Sequence, residues 1–465
     1  MMDVTNDESH EENVQTAQSI DTVLEDLANH VQQTDDEDEE YDEDDLKDPS
    51  CDPDRPIKVQ FQEISAAAFK IKNGIERTPC DRSRLSEQLG MELYLKKDFM
   101  QYTGSFKERG ARYALMCLTP EQQKLGVITA SAGNHALGLA YHGSKLNIPV
   151  IVVMPKTAPL MKQELCKQLG ANVVVHGQDF GESKNYAIYI SKKHGLMYIN
   201  GYDHPNIIAG QGTMGIEIVE QVPDVDAVVV PVGGGGLIAG VALAVKSLKP
   251  SVKIFGVESE RSPGMSVALK AGHPTYTKVL PTLADGLSIP VVGVNAFETL
   301  KPLIDRMLVI QEEFIALSIL RLVEMEKCVV EGAGATGLAG ILSDSMPELK
   351  GKKVVCVVCG GNIDTTVLGR VLERGLATDG RLCRFVVTVS DRPGGIAQLT
   401  RLISSIGVSL KDIFHERAWL KSDIYSVNVK CIVETRNQEH CIELEQLLRQ
   451  NYDYVNFGNS HSVFL

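Results

Sequence analysis

The sequence predicts an α/β body with a mostly parallel sheet, followed by a small α+β unit of ferredoxin-like order. Three observations predict it. From about residue 56 onward, short β-branched runs alternate with helix-length amphipathic segments. Three of those runs end in small-residue or glycine-rich loops. Near residue 380 the alternation gives way to two successive strand patterns flanked by helix patterns.

The first element is acidic. Residues 1–55 carry 21 Asp/Glu against 2 Lys/Arg and culminate in DDEDEEYDEDD, Asp35 to Asp45. Like charges at this density repel one another and cannot bury a core, so 1–55 is expected to be a disordered tail. The rest of the chain holds 40 acids and 44 bases and shows no basic stripe, which argues against nucleic-acid binding. The start MMDVTNDESHEEN lacks the basic and apolar regions of a signal peptide, and no apolar run is long enough to span a bilayer. A cytoplasmic protein without membrane contact is expected. Ten cysteines spread over 465 residues are not a disulfide framework. Cys356 and Cys359 form a C-x-x-C, but they sit in the apolar run KKVVCVVCGGN with no second pair nearby, so a buried strand is a better reading than zinc or a redox dithiol.

The body follows, over residues 56–375. GVITA, VIVVMP, NVVVHG, AVVVPVG, KIFGVE and KVVCVV are apolar throughout, as strands buried on both faces are. APLMKQELCKQLG and LIAGVALAVKSLK read as covering helices. Residues 376–383, within LERGLATDGRL, read as a linker. The last unit spans 384–465: strand RFVVTVS, turn DRPGG, helix IAQLTRLISSIG, strands VSLKDIFHE and DIYSVNVKCIVET, helix EHCIELEQLLRQ, and a final strand near Tyr454. That order is βαββαβ.

The chemistry gathers at the loops. In VVVPVGGGGLIAGVAL, Gly233, Gly234, Gly235 and Gly236 precede an apolar helix. Glycines let successive N–H groups converge, and a helix N-terminus adds its positive end, so the loop reads as a phosphate cradle. It has neither a G-x-G-x-x-G with a later acid nor a Walker lysine, so NAD and ATP are poor fits. In ITASAGNHALGLAYHG, a strand runs into Ser131, Ala132, Gly133, Asn134 and His135 at a helix start, a site for a carboxylate. His135 there reads as a packed or capping histidine rather than a base. VVCVVCGGNIDT places Cys359, Gly360, Gly361 and Asn362 at a strand's C-terminal end, where ligands of open α/β sheets bind. A phosphate cradle, a carboxylate site and the isolated Lys107 of YTGSFKERGARYAL fit a pyridoxal phosphate enzyme acting on an amino acid, with the lysine forming the Schiff base.

GSFKERGA, SAGNHA, VGGGGL, TLADGL and CGGN, in this order, resemble the serine/threonine dehydratases of the fold-type II pyridoxal phosphate enzymes. VTVSDRPGGIAQLTRLI resembles an ACT domain, a small regulatory module that binds amino acids. The resemblance implies a tryptophan synthase β-like body of two lobes, the smaller (about 102–200) inserted in the larger. It implies that Lys107 carries the cofactor and, once freed, acts as the base at Cα. Phe106 would pack beside the ring and Asn134 would hydrogen-bond its phenolic oxygen. Gly233–Gly236 would hold the phosphate, and Cys359 would be the neutral partner of the pyridine nitrogen. Ser131–His135 would line the substrate carboxylate site. The implied reaction is dehydration of L-threonine or L-serine to a 2-oxo acid and ammonia.

Serine racemases share these motifs but carry a second serine where Ala132 stands, which leaves this chain one base and speaks against racemisation. A decayed amino-acid sensor is the other alternative, against which the intact Lys107 stands. Related racemases bind a divalent metal through an acid matching Glu258, but the second carboxylate is replaced by Gly264. A monovalent cation on Glu258 is what remains of that expectation. Glu331 reads equally as a cofactor-side contact or a helix-start carboxylate. In the ACT-like unit, Asp391, Gly394 and Gly395 form the turn that would receive an amino-acid or nucleotide effector. Pairing of such units implies a homodimer or homotetramer.

Overall fold

The computed structural model describes residues 20–33, 46–417 and 424–458. Two compact units divide the chain: one is built on Ala114–Asn200 with the N-terminal segment, the other on Ser50–Tyr113 with Gly201–Leu465. The smaller unit therefore starts at Ala114, twelve residues later than the expected 102.

Fourteen strands are described: β1 Cys80–Arg82, β2 Glu92–Lys97, β3 Val127–Ala130, β4 Val150–Met154, β5 Asn172–Val175, β6 Met197–Tyr198, β7 Ala227–Pro231, β8 Lys253–Ser259, β9 Arg306–Ile310, β10 Lys353–Val358, β11 Leu382–Ser390, β12 Ser409–Glu416, β13 Ser426–Glu434 and β14 Val455–Phe457. In the smaller unit β5-β4-β3-β6 form a parallel sheet. In the larger, β1-β2-β10-β7-β8-β9 form a second sheet, parallel except for the edge pair β1–β2. The apolar runs of β3, β4, β7, β8 and β10 occupy the middle of these sheets, with every residue of β4 and β7 buried, while the run of β5 lies at an edge and is half-buried. The expected α/β body is borne out.

The tail is not wholly without structure. Ile20–Gln33 is a helix. Ile20, Val23, Leu24 and Leu27 recur at the i, i+3, i+4, i+7 spacing of an apolar stripe. Val23 and Leu27 are buried in the core of the smaller unit with Ile128, Ile151, Tyr186 and Ile190. Asp26 pairs with Lys193 at 2.8 Å and with His194 at 3.0 Å. The net charge of the segment concealed a short amphipathic stretch. The acidic block Asp35–Asp45 lies outside the described residues.

The linker also differs. The helix Thr365–Thr378 runs through most of it and β11 begins at Leu382, so the join is only Asp379–Arg381. Gly375 marks close helix packing: a Cβ there would lie 2.8 Å from the Ala316 carbonyl oxygen. Gly380 makes the turn at φ 68°. Beyond it β12-β13-β11-β14 form an antiparallel sheet with the helices Gly395–Ser405 and Gln438–Asn451, the βαββαβ order expected of an ACT-like unit.

Candidate active site

Lys107 is the first residue of the helix Lys107–Met116, which the backbone of GSFK enters from a clip. Ser105 bridges to Gly360, the Phe106 N–H donates to the Cys359 carbonyl at 2.9 Å, and the Gly361 N–H donates to the Gly104 carbonyl at 2.9 Å. Asn362 adds a side-chain bond to the Thr103 carbonyl at 2.7 Å. Two motifs about 250 residues apart thus form one structure at the C-terminal end of β10, where ligands of parallel sheets bind.

The half-buried Lys107 Nζ donates to the Gly201 carbonyl at 2.6 Å and lies 5.2 Å from the centre of the Phe106 ring. Desolvation lowers its pKa to about 8, against the pull of the Glu331 carboxylate. The positive end of its own helix opposes protonation too. Cys359 is buried, and burial first, then Glu331, holds its thiol well above the ordinary value, so it is neutral. Glu331 is the N-cap residue of the helix Gly332–Leu342, and its N–H donates to the Gly360 carbonyl at 3.1 Å. Of its two sequence readings, the helix-start position is the one it occupies, although its carboxylate makes no capping hydrogen bond.

The tetraglycine loop joins β7 to the helix Gly236–Leu248. Gly235 has φ 98°, a left-handed conformation that suits glycine. A Cβ on Gly234 would lie 2.4 Å from the Tyr202 ring, and one on Gly236 would lie 2.1 Å from the Tyr202 carbonyl oxygen. Tyr202 follows Gly201, so the residue that accepts from Lys107 leads directly into the wall of the glycine loop. Asp203 comes next and accepts from the amides of Val294 at 3.0 Å and Ala296 at 2.9 Å, while the Gly293 N–H donates to the Gly234 carbonyl at 3.0 Å. Burial raises Asp203 to about 6.

Sequence reasoning missed Gly201–Asp203: the helix that Pro205 opens is capped by His204, whose Nδ1 accepts from the Asn206 N–H at 3.1 Å, and the amides that Asp203 binds lie about ninety residues on. It also missed the support beneath Lys107. Arg109, fully buried two residues on, donates to both oxygens of Asp98 at 2.8 and 2.7 Å and to both of Glu217 at 2.7 and 2.9 Å. Buried Lys96 donates to Glu217 at 2.5 Å and to the Thr78 carbonyl at 2.7 Å.

In the smaller unit, β3 leads through Ser131, Ala132 and Gly133 into the helix Asn134–Leu146. The Gly133 N–H donates to Ser131 Oγ at 3.3 Å. Ser131 to Asn134 are half-buried, and the Ser131 N–H donates to the Val153 carbonyl at 3.1 Å. His135 is buried with Nε2 at 3.2 Å from the Ile199 carbonyl oxygen, a packed histidine.

Glu258 does not have the setting of a cation ligand. It is fully buried, and its two oxygens accept from the amides of Met265 at 2.6 Å and Ser266 at 2.9 Å and from Ser266 Oγ at 2.7 Å, capping the helix Gly264–Ala271. Burial raises it to about 7. The Gly264 that replaced the second carboxylate opens that helix. Among the described residues, no cluster of three or more His, Cys, Asp or Glu could hold a metal ion. In the C-terminal unit, Asp391 pairs with Arg417 at 2.7 Å, Gly394 is left-handed at φ 101°, and Gly395 packs its Cα against the Ser390 carbonyl.

These residues fit pyridoxal phosphate: a glycine cradle at a helix N-terminus, an amine that can be neutral, and an uncharged thiol at the strand end. Comparison with known proteins agrees. Residues 71–360 match the family of pyridoxal-phosphate dependent enzymes. The L-threonine ammonia-lyase of Thermotoga maritima is 41% identical over 391 residues, 84% of this chain and 97% of its own. That span exceeds the chain's first 375 residues, so the likeness enters the C-terminal unit. The processed threonine deaminase isoform 2 of Solanum lycopersicum has a TM-score of 0.65 at 35% identity, over 69% of this chain and 95% of its own. Maize serine racemase has a TM-score of 0.65 at 31% identity, over 69% and 98%. The chain belongs to the pyridoxal-phosphate dependent enzymes, with the α/β fold of their fold-type II branch, and pyridoxal 5'-phosphate is its cofactor. No helix among the described residues is long and apolar enough to cross a membrane.

Proposed function

We propose that this enzyme is a threonine ammonia-lyase. It removes water from L-threonine, and from L-serine with it, and yields 2-oxobutanoate or pyruvate with ammonia. The observation that carries this reading is the convergence of Lys107, the Gly201–Tyr202 wall and Cys359 on one site in a chain 41% identical to an L-threonine ammonia-lyase.

Bound pyridoxal phosphate supplies the electron sink that acidifies the Cα proton and lets the β-hydroxyl leave. Gly233–Gly236 would hold its phosphate on backbone N–H groups, and Phe106 would flank its ring. Asn134 would donate to its phenolic oxygen, and Cys359 would face the pyridine nitrogen without a charge. Ser131, Ala132, Gly133, Asn134 and His135 would frame the substrate carboxylate, with Asn134's helix amides as donors. Lys107 would hold the cofactor through Nζ and, with that amine free, would take the Cα proton. With a pKa of about 8, roughly a tenth of the amine is neutral at pH 7. The enamine released by water loss is hydrolysed to the 2-oxo acid and ammonia. Ala132 has no proton to deliver on the opposite face, which separates this chain from serine racemases.

The ACT-like unit, through Asp391, Gly394 and Gly395, would take an amino-acid or nucleotide effector, and its pairing would make a homodimer or homotetramer. A cytoplasmic location belongs to the same reading. The test is 2-oxo acid release by purified holoenzyme from L-threonine and L-serine. Release, faster from threonine, is expected. Bound cofactor with no 2-oxo acid from either would overturn it.

A further inference from the structure

The C-terminal unit holds two sulfur groups that the reaction does not use. Cys383 is the second residue of β11, and Cys441 lies in the first turns of the helix Gln438–Asn451. They stand 58 positions apart in sequence, yet their Sγ atoms are 2.6 Å apart. Both are held as thiols and both are buried in one apolar core with Phe385, Leu399 and Leu444. A covalent sulfur–sulfur bond is about 2.05 Å long, so little movement separates this contact from a bond. Cys383 Sγ also lies 3.3 Å from Thr435 Oγ1, which in turn donates to the Gly380 carbonyl at 2.5 Å.

Cys383 differs from other buried cysteines of the chain. Burial pushes the thiols of Cys80, Cys166 and Cys431 up to about 12 and also raises those of Cys356 and Cys359. Cys383 moves the other way, chiefly through its hydrogen bond with Cys441. A thiol held down in this way is the better nucleophile toward an oxidant.

The position also matters. Cys383 stands two residues after Arg381, in the join between the catalytic body and the ACT-like sheet. Arg381 pairs with Glu324 at 2.6 Å, and Asp379 accepts from Arg321 at 3.1 Å. A bond to Cys441 would tie the second helix of the C-terminal unit to the strand that emerges from this join.

We propose that Cys383 and Cys441 are a redox modification site, closing to a reversible disulfide with a small peroxide as oxidant. The Cys383 sulfur attacks one oxygen of hydrogen peroxide. The O–O bond breaks, Cys383 becomes a sulfenic acid, and the other oxygen leaves as water with the thiol proton. The Cys441 sulfur then attacks the Cys383 sulfur. The S–S bond forms, the S–O bond breaks, and the hydroxide leaves as a second water with the Cys441 proton. Two electrons pass from sulfur to peroxide, and a dithiol reductant reverses the change.

The test uses the full-length holoenzyme treated with stoichiometric hydrogen peroxide, then denatured, alkylated and digested without reductant for peptide mass mapping. The expected result is a peptide joining Cys383 to Cys441, lighter by two hydrogen atoms than the separate peptides and abolished by dithiothreitol. The same map of Cys383→Ser and Cys441→Ser should lack it. If a serine variant fails to fold, the wild-type map decides alone. Recovery of both cysteines alkylated, their over-oxidation without a cross-link, or cross-linking of Cys383 to another cysteine would each overturn the proposal.

Discussion

Lys107 carries its amine at the first position of a helix, beside one carbonyl and one aromatic ring, and desolvation brings its pKa to about 8. A base must be neutral to accept a proton, so the direction of the pH effect is fixed. Below about 8 the amine is increasingly protonated and inactive; above it the neutral form dominates. The expected kcat for L-threonine rises with pH through that region and then levels, and a profile that falls over the same range would contradict the role. Cys359 sets a second expectation. In the proposed place beside the pyridine nitrogen, a neutral thiol would not hold that nitrogen protonated, which would suit quick expulsion of a β-substituent over prolonged carbanion storage. Cys359→Asp should slow elimination at least tenfold, about 1.4 kcal/mol in the barrier, while raising side transamination. Steady-state rates and product analysis by mass spectrometry read both, and an unchanged rate would remove Cys359 from the account.

At the scale of elements, the helix that bears Lys107 is held by charges rather than by apolar packing alone. Arg109 and Asp98 are both fully excluded from solvent. Asp98 is held below the usual carboxylate range, although burial alone would raise it, because the Arg109 guanidinium sits against it. Removing Arg109 leaves the buried Asp98 without its cation, while Glu217 keeps Lys96. Arg109→Met should cost about 3–5 kcal/mol, read as the shift in urea midpoint of the holoenzyme. A loss under 1 kcal/mol would mean that the network behaves as a surface pair. The same scale shows what could be read beforehand. The strands β3, β4, β5, β7, β8 and β10 were legible because each carries an apolar run, whereas β1, β2, β6 and β9 are short or mixed and were not; the last unit was legible because its strands alternate, as β11 does. The helix Ile20–Gln33 was not, because its four-residue apolar stripe is outvoted by the surrounding acids. The join at 379–381 lies inside the expected 376–383 but is shorter, because the helix Thr365–Thr378 runs on through the glycine-containing stretch: Gly375 packs against a helix and Gly380 turns the chain.

On the scale of the molecule, the site divides into what lies in one stretch and what is assembled. Lys107, the four glycines and the Cys359 strand end were legible because each carries its chemistry in consecutive residues. The clip between Ser105 and Gly360 and the Arg109–Glu217 pair join positions more than a hundred residues apart, the Tyr202 wall meets a loop about thirty residues on, and no local pattern announces them. Glu258 shows the converse: a carboxylate after a strand looks like a ligand, but a helix start beside it uses both oxygens. The central claim is that this architecture exists to present one lysine to an amino acid. The measurement that tests it most directly is 2-oxobutanoate release from L-threonine by the wild type and by Lys107→Ala, each loaded with pyridoxal phosphate and checked for bound cofactor. The account predicts release by the wild type and a loss of about a thousandfold or more in the variant. Comparable rates from both would show that another group performs the chemistry and would contradict it.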